Sequence, residues 1–197
     1  MARMTVLAGS AATLLLIGFS SCVAAAAADG LPLTDDIRRI VIAEKPDGTS
    51  FVASDEVVAG MEMKGVGTLY TMWGNDTAAA FPDDGAQPKT EGLYPPVGGY
   101  RVYLTRYPAG TAVTPEQKDL TGGSAKLASG VPGMHKSDTT DFDIVLAGEV
   151  ECILTDGTVV KMKAGDMMVL NGADHAWRNS GTEDAVIAFF MAGANRK

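Results

Sequence analysis

Two histidines and one aspartate are the residues of this chain whose types and spacing could do chemistry. The sequence contains two histidines in all, His135 and His175, and Asp141 lies six residues after the first. Imidazole and carboxylate groups bind divalent metals such as Fe, Mn, Zn or Ni, leaving open positions for substrate or water. Without a metal, a histidine that Asp141 orients or charges works as an acid or base near neutral pH. We predict these three residues as the catalytic set and as the metal ligands, against the alternatives of a metal-free pocket and of a purely structural pair.

The three side chains can meet only if the chain reverses between His135 and Asp141. On one continuous strand the two residues would lie roughly 20 Å apart, because a strand rises about 3.3 Å per residue. Residues 138–140 (DTT) are a plausible turn. We therefore expect His135 and Asp141 on two paired strands.

Side-chain alternation along a strand adds three residues to the predicted pocket. Ser137 shares a face with His135, and Trp177 and Asn179 share a face with His175, because successive side chains point to opposite faces. Ser137 is a poor metal ligand, since its hydroxyl is neutral. We assign Ser137, Trp177 and Asn179 to the substrate pocket, with Trp177 as an aromatic wall.

The sequence pattern around these residues predicts β-strands. Turn signals recur about every ten residues, and no helical period interrupts them, which is typical of an antiparallel sandwich or barrel. Asp47–Gly48 and Asp156–Gly157 predict hairpins. The predicted strands cover residues 37–43, 50–54, 67–73, 100–107, 141–147, 150–154, 158–163, 167–170, 175–179 and 185–191.

A long segment rich in Pro, Gly and Asp interrupts this pattern at residues 74–99. It cannot form a helix or a central strand. Loops of this length are functional or mobile in many compact domains, and a surface excursion without a role is the simpler interpretation. Phe142, Ile144 and Leu146 alternate opposite Asp141, so they should face outward and need cover from the N-terminal half or from a second subunit.

Two motifs in the second half of the chain resemble those of the cupin superfamily. The first family motif reads His-x-His, three or four residues, Glu, six residues, Gly. Here the corresponding positions are His135, Ser137, Asp141 and Gly148. The second motif opens with Gly and closes with His-x3-Asn, and here its positions are Gly165, His175 and Asn179, with Asn171 in place of the usual turn proline.

The resemblance implies a jelly-roll antiparallel β-barrel whose lumen holds the site. We expect an all-β chain with a signal peptide at residues 1–28, an N-terminal strand-rich extension at 29–124 packed on the barrel, and the barrel core at 125–197. The family's set of three histidines and one glutamate is reduced here to two histidines and one carboxylate. Because the outward-facing side chains of Phe142, Ile144 and Leu146 need cover, a homodimer would be unsurprising.

The family implies several functions, among which fold does not choose. We expect an enzyme acting on a small organic molecule in the lumen, as a lyase or dehydratase, an isomerase or an oxygenase, with a divalent metal or His/Asp acid–base chemistry. The alternative is a non-catalytic cupin that binds a small molecule or sugar without metal.

The net charge limits the classes of partner, and the N-terminal sequence indicates the location of the protein. A net charge of −8 disfavours nucleic acid, because phosphate backbones would repel the chain. Arg3 precedes an apolar run of 14 residues at 6–19, and an Ala-rich stretch ends before Asp29, where we expect signal cleavage and export to the periplasm or medium. Membrane attachment would need lipidation of Cys22 or an uncleaved anchor. Cys152 would then be the one remaining cysteine, without an internal disulfide partner.

Overall fold

The computed structural model describes residues 37–111, 126–127 and 133–197, and every regular element in these residues is a β-strand. The signal peptide prediction, Cys22 and the boundary at residue 124 lie outside the described residues. No helix among the described residues is long and apolar enough to cross a membrane. The strands, in chain order, are β1 Ile37–Glu44, β2 Ser50–Val58, β3 Met61–Met63, β4 Gly67–Asn75, β5 Tyr100–Tyr107, β6 Lys126–Leu127, β7 His135–Lys136, β8 Thr139–Ala147, β9 Glu149–Leu154, β10 Val159–Lys163, β11 Met167–Asn171, β12 His175–Arg178 and β13 Ala185–Gly193.

Two antiparallel sheets enclose the core. The larger sheet has the order β11-β8-β13-β5-β4-β3, and the smaller has the order β10-β9-β12-β7-β6. Buried side chains from both sheets meet between them, including Val145 and Ile187 from the larger sheet and Val150 and Trp177 from the smaller. The predicted all-β barrel is confirmed. Its strands follow the predicted segments closely, while the short strands β3, β6 and β7 were not predicted.

The N-terminal half is built into this barrel as well as packed on it. Strand β5 pairs with β13 from Tyr107 opposite Ala185 to Tyr100 opposite Ala192, and β4 and β3 continue the same sheet. The hairpin of β1 and β2 forms its own two-stranded sheet. Its residues Ile37 and Val58 pack in a cluster around Tyr70, on the outer side of β4 and β5. The extension thus supplies three barrel strands and a cover over part of the outer face.

The hairpin turns predicted from Asp-Gly pairs are present. At Gly157 the backbone has a φ of 85°, which glycine adopts without the steric cost a Cβ would bring. Thr158 donates its backbone N–H to the Asp156 carboxylate, and Leu154 donates its N–H to the Thr158 carbonyl. This turn fixes the register of β9 and β10, which have Ile153 opposite Val159.

The expectation that His135 and Asp141 lie on paired strands was wrong. Strand β7, with His135, pairs with β12 in the smaller sheet, whereas β8, with Asp141, pairs with β11 and β13 in the larger sheet. Residues 137–138 therefore carry the chain from one sheet to the other instead of forming a hairpin. The two side chains reach one cavity from two different sheets.

Candidate active site

The two imidazoles form a close pair at the centre of the site. His135 on β7 and His175 on β12 lie directly opposite each other across the strand pair, and their ring centroids are 4.4 Å apart. Each Nδ1 lies near a backbone carbonyl two residues earlier, Gly133 at 2.8 Å and Ala173 at 3.0 Å. A carbonyl oxygen can only accept, so each Nδ1 carries the proton and donates it. In a neutral imidazole, Nε2 is then left with a free lone pair.

Both imidazoles are held neutral by their surroundings. Burial lowers the pKa of His135, because the charged form loses its hydration. Burial, together with the positive charge that His135 would carry, lowers the pKa of His175 to about 3. At neutral pH the pair therefore offers two hydrogen-bond acceptors.

Asp141 approaches the same cavity from the opposite sheet. The residue is 4% exposed, and its Oδ1 atom has no hydrogen-bond partner. Burial raises the pKa of the Asp141 carboxyl to about 6, because no counter-charge offsets the lost hydration. A buried acceptor without a partner costs stability, so a group kept in this state is a candidate for binding something else.

The cavity between the sheets has a volume of about 80 Å³, which is room for several waters or a compact organic group. Aromatic and apolar side chains form most of its wall. Trp177 packs edge-on against both His175 and Phe189, at centroid distances of 6.0 and 5.7 Å. The lining residues are Met63, Val66, Leu69, Leu93, Tyr94, Tyr103, Thr105, Tyr107, His135, Asp141, His175, Trp177, Phe189 and Met191.

Four of the six predicted site residues line this cavity together, namely His135, Asp141, His175 and Trp177. The other two, Ser137 and Asn179, are buried but do not line it. The Ser137 hydroxyl lies 2.5 Å from the Thr139 hydroxyl.

Asn179 is instead a backbone clamp beyond the end of β12. Its amide donates to the carbonyls of Tyr107 and Glu183, and its Oδ1 accepts from the Gly181 N–H. The predicted strand 175–179 is one residue longer than β12, which ends at Arg178.

The long loop supplies two lining residues that the sequence did not identify, Leu93 and Tyr94. The Tyr94 ring lies 6.3 Å from the His135 ring, and burial together with the nearby Asp141 charge raises the pKa of its phenol. The one signal in the sequence was the loop's length, which did not point to a particular residue. The loop is therefore part of the site rather than a surface excursion.

A second buried carboxyl, Asp143, is not among the predicted site residues. It shares the inner face of β8 with Asp141, is 1% exposed, and its Oδ1 has no partner. Burial and the adjacent Asp141 charge raise the pKa of the Asp143 carboxyl to about 8. Its charge also contributes to raising the pKa of the Tyr107 phenol, which places it close to a lining residue.

The predicted metal centre can be tested against these donors. The free Nε2 atoms of His135 and His175 are suitable ligands for Fe, Mn, Zn or Ni, and each ring is oriented by a bond from Nδ1, as in many metal sites. Over residues 37–111, 126–127 and 133–197, however, no three His, Cys, Asp or Glu side chains lie close enough to hold an ion. The arrangement supplies two ligands, so it does not fit a centre of two histidines and one carboxylate.

One segment in the second half of the chain matches a known family. Residues 127–191 match the family model described as the cupin domain. Phomopsin biosynthesis cluster protein C′ of Diaporthe leptostromiformis is 37% identical over 71 residues, which cover 34% of this chain and 38% of that protein. Oryzines biosynthesis cluster protein J of Aspergillus oryzae is 36% identical over 61 residues, covering 31% of this chain and 34% of that protein. The matches span little more than a third of these relatives.

Among solved structures, the cupin domain of Schizosaccharomyces pombe Cnp3 aligns with a TM-score of 0.40 and 14% identity, covering 81% of this chain and 88% of that one. The motif positions His135, Asp141 and His175 all fall within the segment that matches the cupin domain. Residues 127–191 are therefore a cupin domain, on a barrel of two antiparallel sheets.

Proposed function

We propose that this protein acts on a small organic molecule in the barrel lumen by proton transfer, with His135, His175 and Asp141 as its catalytic groups. One observation carries the proposal. Two neutral imidazoles with free Nε2 atoms and a carboxyl oxygen without a partner border one aromatic cavity. Groups with shifted pKa values in a cleft are a physical sign of an active site.

His135 is better suited than His175 to act as the base, since a pKa of about 3 makes the His175 Nε2 a weak proton acceptor. The neutral Nε2 of His135 accepts a proton from a substrate carbon or oxygen, and the hydrogen bond from Nδ1 to the Gly133 carbonyl stabilises the cation that forms. Asp141, whose pKa lies near 6, exchanges a proton at neutral pH and can return one to the product. Removal and return of a proton is the core of isomerisation and of lyase or dehydratase reactions, so we propose one of these classes.

The curated relatives support a role in the synthesis of a small compound. Two of them carry the names of biosynthesis clusters, for phomopsin and for oryzines. We propose that the substrate here is likewise an intermediate of a biosynthetic route, exported together with this chain if the predicted signal peptide is cleaved.

A direct test compares wild type with His135→Ala and His175→Ala. Each protein is incubated with a library of small organic molecules, and products are detected by mass spectrometry. We expect at least 100-fold less product from either variant. Lys136→Ala is the matched control, because Lys136 adjoins His135 on β7 but does not line the cavity. Unchanged turnover in both histidine variants, with their fold intact, would rule the proposal out.

Two other functions have their own support. The paired Nε2 atoms favour metal binding, with the missing ligand supplied by substrate or water. Elemental analysis of untagged protein tests this, since about one equivalent of metal that His175→Ala loses would establish a metal protein. The aromatic wall favours a binding protein without catalysis. This alternative predicts that some library members bind in the lumen and are released without being converted.

A further inference from the structure

The polar groups on the lumen wall include several atoms that can only accept hydrogen bonds. The Nε2 atoms of His135 and His175 are acceptors, and so is the Asp141 oxygen that has no partner. Beyond these, polar atoms come from the hydroxyls of Thr105 and the tyrosines, which can donate or accept, and from the Trp177 indole N–H, which donates. Three wall atoms can therefore only accept and one can only donate, so a ligand that brings donors matches the wall better than one that brings acceptors.

No described residue that lines the cavity is a lysine or arginine. Arg101 lies close enough to Tyr103 to influence its pKa, but it does not line the cavity, and its two Nη atoms bind other groups. It pairs with Asp76 and donates to the carbonyls of Asn75, Tyr100 and Glu91. A ligand carboxylate or phosphate would find no counter-charge among these residues and would face Asp141, which makes an anion an unfavourable occupant.

The apolar wall suits a positively charged group better than it suits an anion. Five aromatic rings border the cavity, and the face of an aromatic ring attracts cations and repels anions. They belong to Tyr94, Tyr103, Tyr107, Trp177 and Phe189. Tyr94 belongs to the aromatic wall and also lies near the acceptor groups. Its ring lies beside His135, and its phenol lies close enough to Asp141 for the Asp141 charge to raise the phenol pKa.

We infer that the molecule taken into the lumen carries an amine on an apolar or aromatic body, with Asp141 accepting the amine N–H and the aromatic rings contacting the rest. The inference rests on the proposed function, since it names the chemical class of that ligand. It assigns Asp141 a recognition role that is separate from proton transfer. It also excludes carboxylates and phosphates as ligands of this cavity.

Three probes that share a phenyl ring and a two-carbon chain test the inference, namely 2-phenylethylamine, 2-phenylethanol and 3-phenylpropanoate. Their binding to the protein as purified is measured at pH 7 by calorimetry and by ligand-observed NMR. We expect the amine to bind at least tenfold more tightly than the alcohol, and the carboxylate to show no binding. Asp141→Asn should weaken amine binding at least tenfold, because the amide cannot match the carboxylate's attraction for a cation.

Asp84→Asn is the control, since it removes the same charge from the exposed loop and keeps the oxygen that accepts from Ala86. Binding of the carboxylate as tight as that of the amine, in competition with other lumen ligands, would overturn the inference but not the proposed function. Failure of all three probes to bind would also overturn it, as would one equivalent of tightly bound metal on His135 and His175.

Discussion

At the scale of single residues, the site depends on how two imidazoles are oriented. In both His135 and His175, the Nδ1 atom donates to the backbone carbonyl two residues earlier, which fixes the proton on Nδ1. The lone pair of each Nε2 atom therefore points away from that carbonyl. Their pairing across β7 and β12 could not be read from the sequence, because β7 is two residues long and lacks a strand pattern. The histidines themselves were identified from their motif positions. The alternation of side chains along β12 correctly placed Trp177 on the same face as His175.

The clearest consequence of residue-level burial concerns pH. The pKa of Asp143 is raised from an ordinary value of 3.8 to about 8, so the folded chain binds this proton more tightly than the unfolded chain between these two values. Stability must therefore fall as pH rises through that window. Asp141 acts in the same direction up to about pH 6. The histidines act oppositely, but only below about 6.5, where the unfolded chain binds their protons.

Between pH 6.5 and 8 the Asp143 carboxyl thus dominates among these groups. We expect the free energy of unfolding to fall by roughly 1–2 kcal/mol over this range, since one pKa unit corresponds to about 1.4 kcal/mol. In Asp143→Asn the fall should disappear, because the amide has no proton to release. Urea titrations at several pH values measure both proteins. A variant that keeps the same pH dependence as wild type would contradict the assignment.

At the scale of elements, the segment between β4 and β5 is the part of the site that the strand pattern did not reveal. Its structure comes from side-chain contacts rather than from periodicity. Arg101 is fully buried on β5, pairs with Asp76 at one end of the loop and donates to the Glu91 carbonyl near the other. The Tyr103 hydroxyl donates to the Leu93 carbonyl at 2.8 Å. These bonds hold Leu93 and Tyr94 in the lumen.

Arg101→Lys should release this loop. A lysine keeps the charge but has one nitrogen in place of the guanidinium fork, so most of the bonds to Asp76 and to the backbone are lost. We expect a loss of roughly 2–4 kcal/mol in unfolding free energy, and faster hydrogen exchange at residues 88–94, because breaking a buried pair is costly. Arg38→Lys is the control, since the exposed pair of Arg38 with Asp55 should contribute less than about 1 kcal/mol.

The strands themselves were largely predictable, for a physical reason. Half-buried strands alternate, and β5 and β8 bury every second residue through most of their length. Which sheet a strand joins is not encoded in alternation. The residue types at 137–138 fit a hairpin turn as well as a crossing between sheets. The predicted pairing of the strands of His135 and Asp141 was therefore wrong, although both residues line the cavity.

At the scale of the whole molecule, two apolar rows on the outer face of the larger sheet have no cover from the residues that the structure describes. Cross-strand rows place Met167, Ile144 and Ala188 side by side, and Val169, Phe142 and Phe190 in the next row. Met167 and Val169 are more than half exposed. The β1–β2 hairpin covers the neighbouring part of the sheet around Tyr70, not these rows.

Exposed apolar rows of this kind are typical of a subunit interface, so we expect a homodimer through this face. Val169→Lys should convert the dimer to a monomer, which sedimentation analysis measures. Val159→Lys is the matched control, because this valine is 42% exposed on β10 in the other sheet. A monomeric wild-type protein, or a dimer that Val169→Lys does not weaken, would contradict the prediction.

Export is a prediction about the intact chain. The apolar run at residues 6–19 and the Ala-rich stretch before Asp29 predict cleavage there. Expression of the full chain, followed by intact-mass analysis of the secreted or periplasmic fraction, should find a mature protein that begins at Asp29. A protein that begins at a lipid-modified Cys22, or an uncleaved chain in the membrane fraction, would decide for the alternatives.

The proposed site requires that two neutral imidazoles present free Nε2 atoms to the lumen. Nitrogen-15 NMR of histidine-labelled, untagged protein tests it most directly, since the sequence contains two histidines and both signals can be followed. At pH 7.5 we predict that both rings carry the proton on Nδ1 and none on Nε2, and that a lumen ligand or metal shifts the Nε2 signals. At pH 6 the His175 ring should still be neutral. A His175 ring protonated on both nitrogens at pH 6, or the proton on Nε2 in either ring at pH 7.5, would contradict the proposed site.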